Sequence, residues 1–177
     1  TALAALLHDP VRLDFPTAGH LLHWQVRSEL AGLASARLAQ ALAPHAQCIT
    51  ILAGPGNNGG DGFVVGRLLK KRRAKVRVLL LANAGDLTGD AKTMHRRFVA
   101  AAGAKAVTSA PSTEIIRTSL AQSDLIVDAL LGTGLSAPVA DSYRTAIEMM
   151  NRSALPVVAV DLPSGIHADT GAALGPA

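Results

Sequence analysis

Between residues 48 and 162, short apolar runs alternate with longer stretches in which apolar residues return every three or four positions. The runs CITILA, VRVLLLA, KAVT, LIVDALL and VVAVDL predict strands at 48–53, 76–82, 105–108, 125–131 and 157–162. They are close to continuously apolar, the pattern of strands covered on both faces. Helices are predicted at 60–73, 89–102, 112–122 and 141–152. Phe63, Val64, Leu68 and Leu69 give the first an apolar stripe, and Met94, Phe98 and Val99 do the same for the second. Asp90 and Ser112 stand where they can cap free N–H groups. The stretch LAGLASARLAQALA, residues 30–43, reads as an Ala-rich helix packed on the sheet, whereas residues 1–28 have weak periodicity and predict no definite element. Strand–helix alternation at this spacing implies right-handed βαβ crossovers and an α/β fold with a mostly parallel sheet.

Composition narrows this to one domain. The chain has 177 residues, 49% of them hydrophobic and 17% charged, which is too apolar for a disordered chain and enough for a sizeable core. Its apolar stretches are too short to cross a bilayer, so no membrane is expected. With 3% aromatic residues, one Trp and one Tyr, it lacks stacking platforms for single-stranded nucleic acid, and no nucleic-acid partner is expected. The single cysteine, Cys48, excludes an internal disulfide framework and reads as a small residue opening a strand. The segment TALAALLHDPVRLDF has no basic region before an apolar core, so it does not read as a secretory signal and a cytoplasmic location is expected. The net charge of +4 is local: Lys70, Lys71, Arg72, Arg73, Lys75 and Arg77 form one run. A solvated helix end is favoured for it over a phosphate or nucleic-acid patch.

In an open α/β sheet, ligands bind beyond the carboxyl ends of the strands. Three post-strand loops are unusual. The first, GPGNNGGDG at 54–62, has five glycines in nine positions and leads into a helix whose free N–H groups suit a phosphate. It is neither a P-loop nor a Gly-x-Gly-x-x-Gly fingerprint in register. The second follows LIVDALL, where Asp128 lies inside an apolar strand. A carboxylate there is costly unless it binds a cation, accepts hydrogen bonds or moves protons. The third, Asp161-Leu162-Pro163-Ser164-Gly165, puts a carboxylate and a hydroxyl on the same edge. The six histidines, His8, His20, His23, His45, His95 and His167, show no metal-ligand spacing, and no Gly-x-Ser-x-Gly elbow marks a hydrolase. These residues point to a nucleotide- or phosphate-binding domain without specifying the reaction.

GPGNNGGDG, VDALLGTGL and VDLPSGIHADTG, in this order and spacing, resemble the YjeF N-terminal domain family of NAD(P)H-hydrate epimerases, from about Leu30 to the end. The resemblance implies a three-layer αβα, Rossmann-like sandwich. It implies an isomerase that interconverts the R and S forms of hydrated NADH or NADPH, a metabolite-repair step feeding an S-specific dehydratase. The dinucleotide is then substrate, not cofactor. Asn57, Asn58, Gly59, Gly60 and Asp61 would cradle its phosphates. Gly132, Thr133, Gly134, Leu135, Ser136, Ala137, Pro138 and Asp161 would contact the rest. A potassium ion would be held by Asn58, Asp128 and Ser164, and Asp128 is also the candidate acid/base, since inversion at C6 needs a positioned proton carrier. A homodimer and a fused or separate dehydratase are the implied partners.

The chain departs from the family pattern in places. Ser28 stands where the family usually has Met, His167 where bacterial members often have Asp, and residues 1–29 match poorly. The family normally continues past Gly175-Pro176-Ala177 through further strands, so residues 1–177 read as one domain truncated at its C-terminal end. If these residues are the whole protein, an exposed sheet edge and reduced stability or activity are expected. The competing reading is a non-catalytic nucleotide- or partner-binding module of the same fold. A kinase-like or dehydrogenase site is disfavoured by the missing P-loop lysine and the broken Rossmann spacing.

Overall fold

A computed structural model of the chain describes residues 19–177; the readings made of residues 1–18 lie outside them. The elements run α1 (Gly19–Leu42), β1 (Cys48–Ala53), α2 (Asn57–Lys71), β2 (Lys75–Leu80), α3 (Gly89–Ala102), β3 (Val107–Ser109), α4 (Thr113–Ala121), β4 (Leu125–Ala129), α5 (Asp141–Arg152) and β5 (Val157–Ala159). Short 3₁₀ turns occupy Ala84–Asp86 and Ala104–Ala106. All strand pairings are parallel, in the order β3-β2-β1-β4-β5.

Alternation along the strands divides the core in two. Ile49, Ile51, Val76, Val78, Leu80, Leu125 and Val127 face one way, against Ala36 and Ala39 of α1, Phe63 and Val64 of α2, and Met94 and Phe98 of α3. Leu52, Leu79 and Ile126 face the other way, against Ile116 and Leu120 of α4 and Ala146, Ile147 and Met150 of α5. Helices cover both sheet faces, giving the three-layer αβα sandwich, and this is why the strands read as unbroken apolar runs. Each fully buried aliphatic side chain contributes about 1.5–3 kcal/mol relative to exposure.

Several boundaries differ from the sequence pattern. The first helix begins at Gly19 rather than residue 30. Helix α2 begins at Asn57, three residues earlier than predicted, so most of the glycine-rich loop, from Asn57 to Gly62, is helix. The strand predicted at 105–108 is a 3₁₀ turn followed by Val107–Ser109. β1 matches its predicted bounds, while three other strands end two or three residues early: β2 at Leu80, β4 at Ala129 and β5 at Ala159. Ser112 caps α4 by accepting a hydrogen bond from the Ile115 N–H, as predicted. Asp90 instead lies in the first turn of α3, whose N-cap is Thr88.

Past β5 the chain turns back on itself. Ile166 bridges Ala173 in antiparallel fashion, and the N–H of Val139 bonds to the Leu174 carbonyl. This return segment holds the 160–165 loop against the loop that follows β4.

Candidate functional site

The carboxyl ends of β1, β4 and β5 bring the three unusual loops to one edge. The first loop is compressed against the second. A Cβ on Gly54 would stand 2.1 Å from the Leu130 carbonyl oxygen, and one on Gly59 would stand 1.8 Å from the Gly54 carbonyl oxygen. Only glycine permits these approaches, because the obstructing atoms are backbone. Helix α2 starts at once, with Gly56 as N-cap and the Gly60 N–H bonded to the Gly56 carbonyl at 3.0 Å. No side chain caps it, so its first turn presents backbone donors and the positive end of its dipole.

The second and third loops are tied to each other. Asp161 Oδ2 accepts from the Thr133 N–H at 3.0 Å, and a Cβ on Gly132 would lie 2.7 Å from that same oxygen. Asn58 Nδ2 donates to the Leu131 carbonyl at 2.8 Å, joining the first loop to the second.

A cavity of about 870 Å³ opens between them. It is lined by Asn57, Asn58, Gly60 and Asp61 from the first loop, by the whole stretch Gly132, Thr133, Gly134, Leu135, Ser136, Ala137 and Pro138, and by Asp161. Its volume lies within the range of small-molecule and cofactor sites.

Asp128 does not line this cavity. It is 1% exposed, and its carboxylate is enclosed by three donors. Oδ1 accepts from the Ser164 hydroxyl at 2.6 Å and the Leu130 N–H at 3.2 Å, while Oδ2 accepts from the Ser164 N–H at 2.8 Å. Burial pushes its pKa above the usual carboxylate value, and the bonds from Ser164 and Leu130 oppose that. The Ser164 hydroxyl also accepts from the Leu131 N–H at 2.9 Å. Gly59 and Ser164, like Asp128, stand behind the lining rather than in it. Among the described residues, two buried side-chain polar atoms are without a hydrogen-bond partner: Asn58 Oδ1 and Asp61 Oδ1.

A family model described as "YjeF-related protein N-terminus" matches residues 25–177. The chain belongs to the YjeF N-terminal family. It is 42% identical over 151 residues to the bifunctional NAD(P)H-hydrate repair enzyme Nnr of Thermofilum pendens, covering 85% of this chain and 29% of that protein. It is 38% identical over 143 residues to the NAD(P)H-hydrate epimerase of Rhodopirellula baltica, covering 81% and 57%. The corresponding epimerase of Limosilactobacillus fermentum is 39% identical over 132 residues, covering 75% and 60%. The chain therefore spans less than two thirds of the length of each. Among solved structures it resembles yeast ynu0 (YNL200c), with TM-score 0.72 and 25% identity, covering 96% of this chain and 71% of that one.

The YjeF N-terminal fold puts further residues on the cavity that sequence reasoning did not single out as site residues. Arg27 and Ser28 reach it from α1, Asp90 and Met94 from α3, and Tyr143 from α5. Asp90 carried a weak signal, a carboxylate beside a helix-opening glycine, but the sequence suited it equally to capping. Arg27 carried none, since it preceded the segment predicted as helix. These groups act on Asp61. Burial raises its pKa, with Asp161 and Asp90 pushing the same way, while a hydrogen bond from Ser28 and the charge of Arg27 pull it down. Asp61 is thus the carboxylate with a raised pKa that faces the cavity.

Among the described residues, no three His, Cys, Asp or Glu side chains gather as a metal-holding group. The oxygen set of Asn58, Asp128 and Ser164 is of another kind. It combines a neutral amide, a carboxylate and a hydroxyl, and one of its oxygens, Asn58 Oδ1, has no partner. Its chemistry fits a hard cation of low charge.

Proposed function

We propose that this YjeF N-terminal domain interconverts the R and S epimers of hydrated NADH or NADPH. The observation that carries the reading is the convergence of all three family motifs on one cavity, with uncapped helix donors on one wall and carboxylates on another. The names of the Rhodopirellula and Limosilactobacillus relatives support the same reaction.

In this reading the first turn of α2 receives the substrate's phosphates through backbone N–H groups. Gly132 to Pro138 and Asp161 hold the rest of the dinucleotide. Inversion at C6 requires the hydroxyl to leave and return, or the ring to open and close, and either route moves a proton. Asp61 is the proposed carrier, because it faces the cavity and its environment favours the protonated acid. Asp128, the carrier suggested by sequence, is 1% exposed and lies behind the cavity lining, and in this reading it positions the loops instead. Asn58, Asp128 and Ser164 are the proposed holders of potassium, which would supply positive charge behind the substrate. The support is the unpartnered Asn58 oxygen.

The domain would feed an NAD(P)H-hydrate dehydratase, fused or separate, as the name of the bifunctional Thermofilum relative suggests. A cytoplasmic location belongs to the same reading. So does a homodimer, supported by the exposed Leu30, Leu38 and Leu42 along α1. Among the described residues no helix is long and apolar enough to cross a membrane.

The test is to follow chromatographically separated epimers of hydrated NADPH with the purified chain. Equilibration well above the spontaneous rate is expected, and it should slow when potassium is replaced by a bulky organic cation. Equilibration at the spontaneous rate, with binding of the dinucleotide intact, would favour the non-catalytic module.

A further inference from the structure

The basic run Lys70–Arg77 plays no part in the site above, and the structure divides it. Lys70 to Arg73 finish α2 and its cap, while Lys75 and Arg77 enter β2. The register pairs Cys48 with Lys75 and Thr50 with Arg77. All four lie on the sheet face of Leu52 and Leu79, because side chains two apart share a face. Helices α4 and α5 cover that face farther along, and toward the amino ends of the strands a groove of about 360 Å³ remains.

We infer that this groove is a second binding site, for a small phosphate-bearing molecule. Three cations, Lys75, Arg77 and Lys105, line it, and no carboxylate does. None of the three forms an ion pair among the described residues. Like charges brought together in a concavity repel, and a bound anion removes that cost. Asp124, next in sequence to Ser123, does not line the groove but sits at its rim, where its Oδ2 accepts from the N–H groups of Gln47 and Cys48 at 2.8 Å and is partly neutralised by them.

The groove has the features of a designed receptor for an anion. Arg77 is half-buried, and its Nη2 donates to Gln122 Oε1 at 3.1 Å, which orients the guanidinium and leaves its other donors for an oxyanion. On the same wall Thr50 Oγ1 and Ser123 Oγ stand 2.6 Å apart. A short groove of this volume without aromatic side chains suits a small phosphate compound better than a nucleic-acid strand, which needs an extended track and stacking surfaces. It lies at the opposite ends of the strands from the catalytic cavity, so both sites can be filled at once.

The test is an amide NMR titration of the chain with inorganic pyrophosphate at constant ionic strength. Saturable shifts are expected at Thr50, Arg77, Lys105 and Ser123, whatever happens at Gly132–Pro138. The Lys75→Gln/Arg77→Gln/Lys105→Gln variant should bind there about tenfold more weakly or worse. Should the triple variant fold poorly, Lys105→Gln alone, at an exposed position, must still weaken binding. Absence of saturable shifts at the groove, equal binding by the variants, or equal displacement by chloride would overturn the site. Tighter binding of a short single-stranded oligonucleotide than of pyrophosphate would overturn the class of ligand. The result is independent of whether the domain is an epimerase.

Discussion

Ser164 donates to Asp128 twice, from its N–H to Oδ2 at 2.8 Å and from its hydroxyl to Oδ1 at 2.6 Å. The same hydroxyl accepts from the Leu131 N–H. One small side chain thereby joins the end of β4, the loop after β4 and the loop after β5.

Ser164→Ala removes a buried hydroxyl from both Asp128 and Leu131. A loss of about 1–3 kcal/mol is expected in urea unfolding, the cost of leaving buried polar groups unpaired. The proposed epimerisation should fall with it even at temperatures where the variant is fully folded, because the second and third loops lose their shared anchor. A variant as stable and active as the parent would remove Ser164 from this role.

Asp61 gives stability a distinctive pH dependence. Its folded pKa is raised from 3.8, so the folded chain holds this proton at pH values where the unfolded chain has released it. Its contribution therefore becomes unfavourable as pH rises from about 4 through the raised folded value, and the penalty is complete above it. Asp61→Asn should flatten that part of the pH–stability profile and raise stability at neutral pH, while removing the proposed proton carrier and lowering kcat. The difference in melting temperature between parent and variant across pH 3–8 checks it.

Asp124 has the opposite sign. Its pKa is held below 3.8 by the N–H groups of Cys48 and Gln47. The stabilisation is fully present above pH 4 and is lost as pH falls through the depressed value. Asp124→Ala should lose stability at neutral pH and converge with the parent in strong acid. Parallel unfolding curves at every pH would contradict this.

Glycines in the first loop are not equivalent. Gly59→Ala drives a methyl into the Gly54 carbonyl, and helix and strand must separate to admit it. A destabilisation of about 1–3 kcal/mol or more is expected, as for other overpacked sites. Gly56→Ala meets nothing within 4 Å and adopts φ −85°, open to any residue, so it should leave stability nearly unchanged. Thermal unfolding of the two variants side by side decides the matter.

The strands and most helices were legible because burial on both faces imposes a strong apolar signal, as at Cys48–Ala53 and Leu125–Ala129. Their ends were less so. Leu130 and Leu131 continue the apolar run, yet their N–H groups bond to the Asp128 carboxylate and the Ser164 hydroxyl rather than to a neighbouring strand. No local pattern shows a distant side chain replacing a ladder partner. The start of α2 was hidden for another reason. Asn-Asn-Gly-Gly has low helix propensity, but tertiary packing needs small residues there: a Cβ on Gly59 would stand 1.8 Å from the Gly54 carbonyl oxygen, and one on Gly60 would stand 3.2 Å from the Ala91 Cα. The three motif loops were visible in the sequence, whereas Arg27, Asp90 and Tyr143 reach the cavity only through the packing of α1, α3 and α5.

Because α2 begins inside the glycine-rich segment, the surface that would meet the substrate's phosphates is helix backbone pinned by Asn58 to the loop after β4, not a flap that must be ordered. The recognition energy is then not spent on freezing chain. Substitutions that loosen this turn should weaken binding chiefly through entropy, with every contact still available.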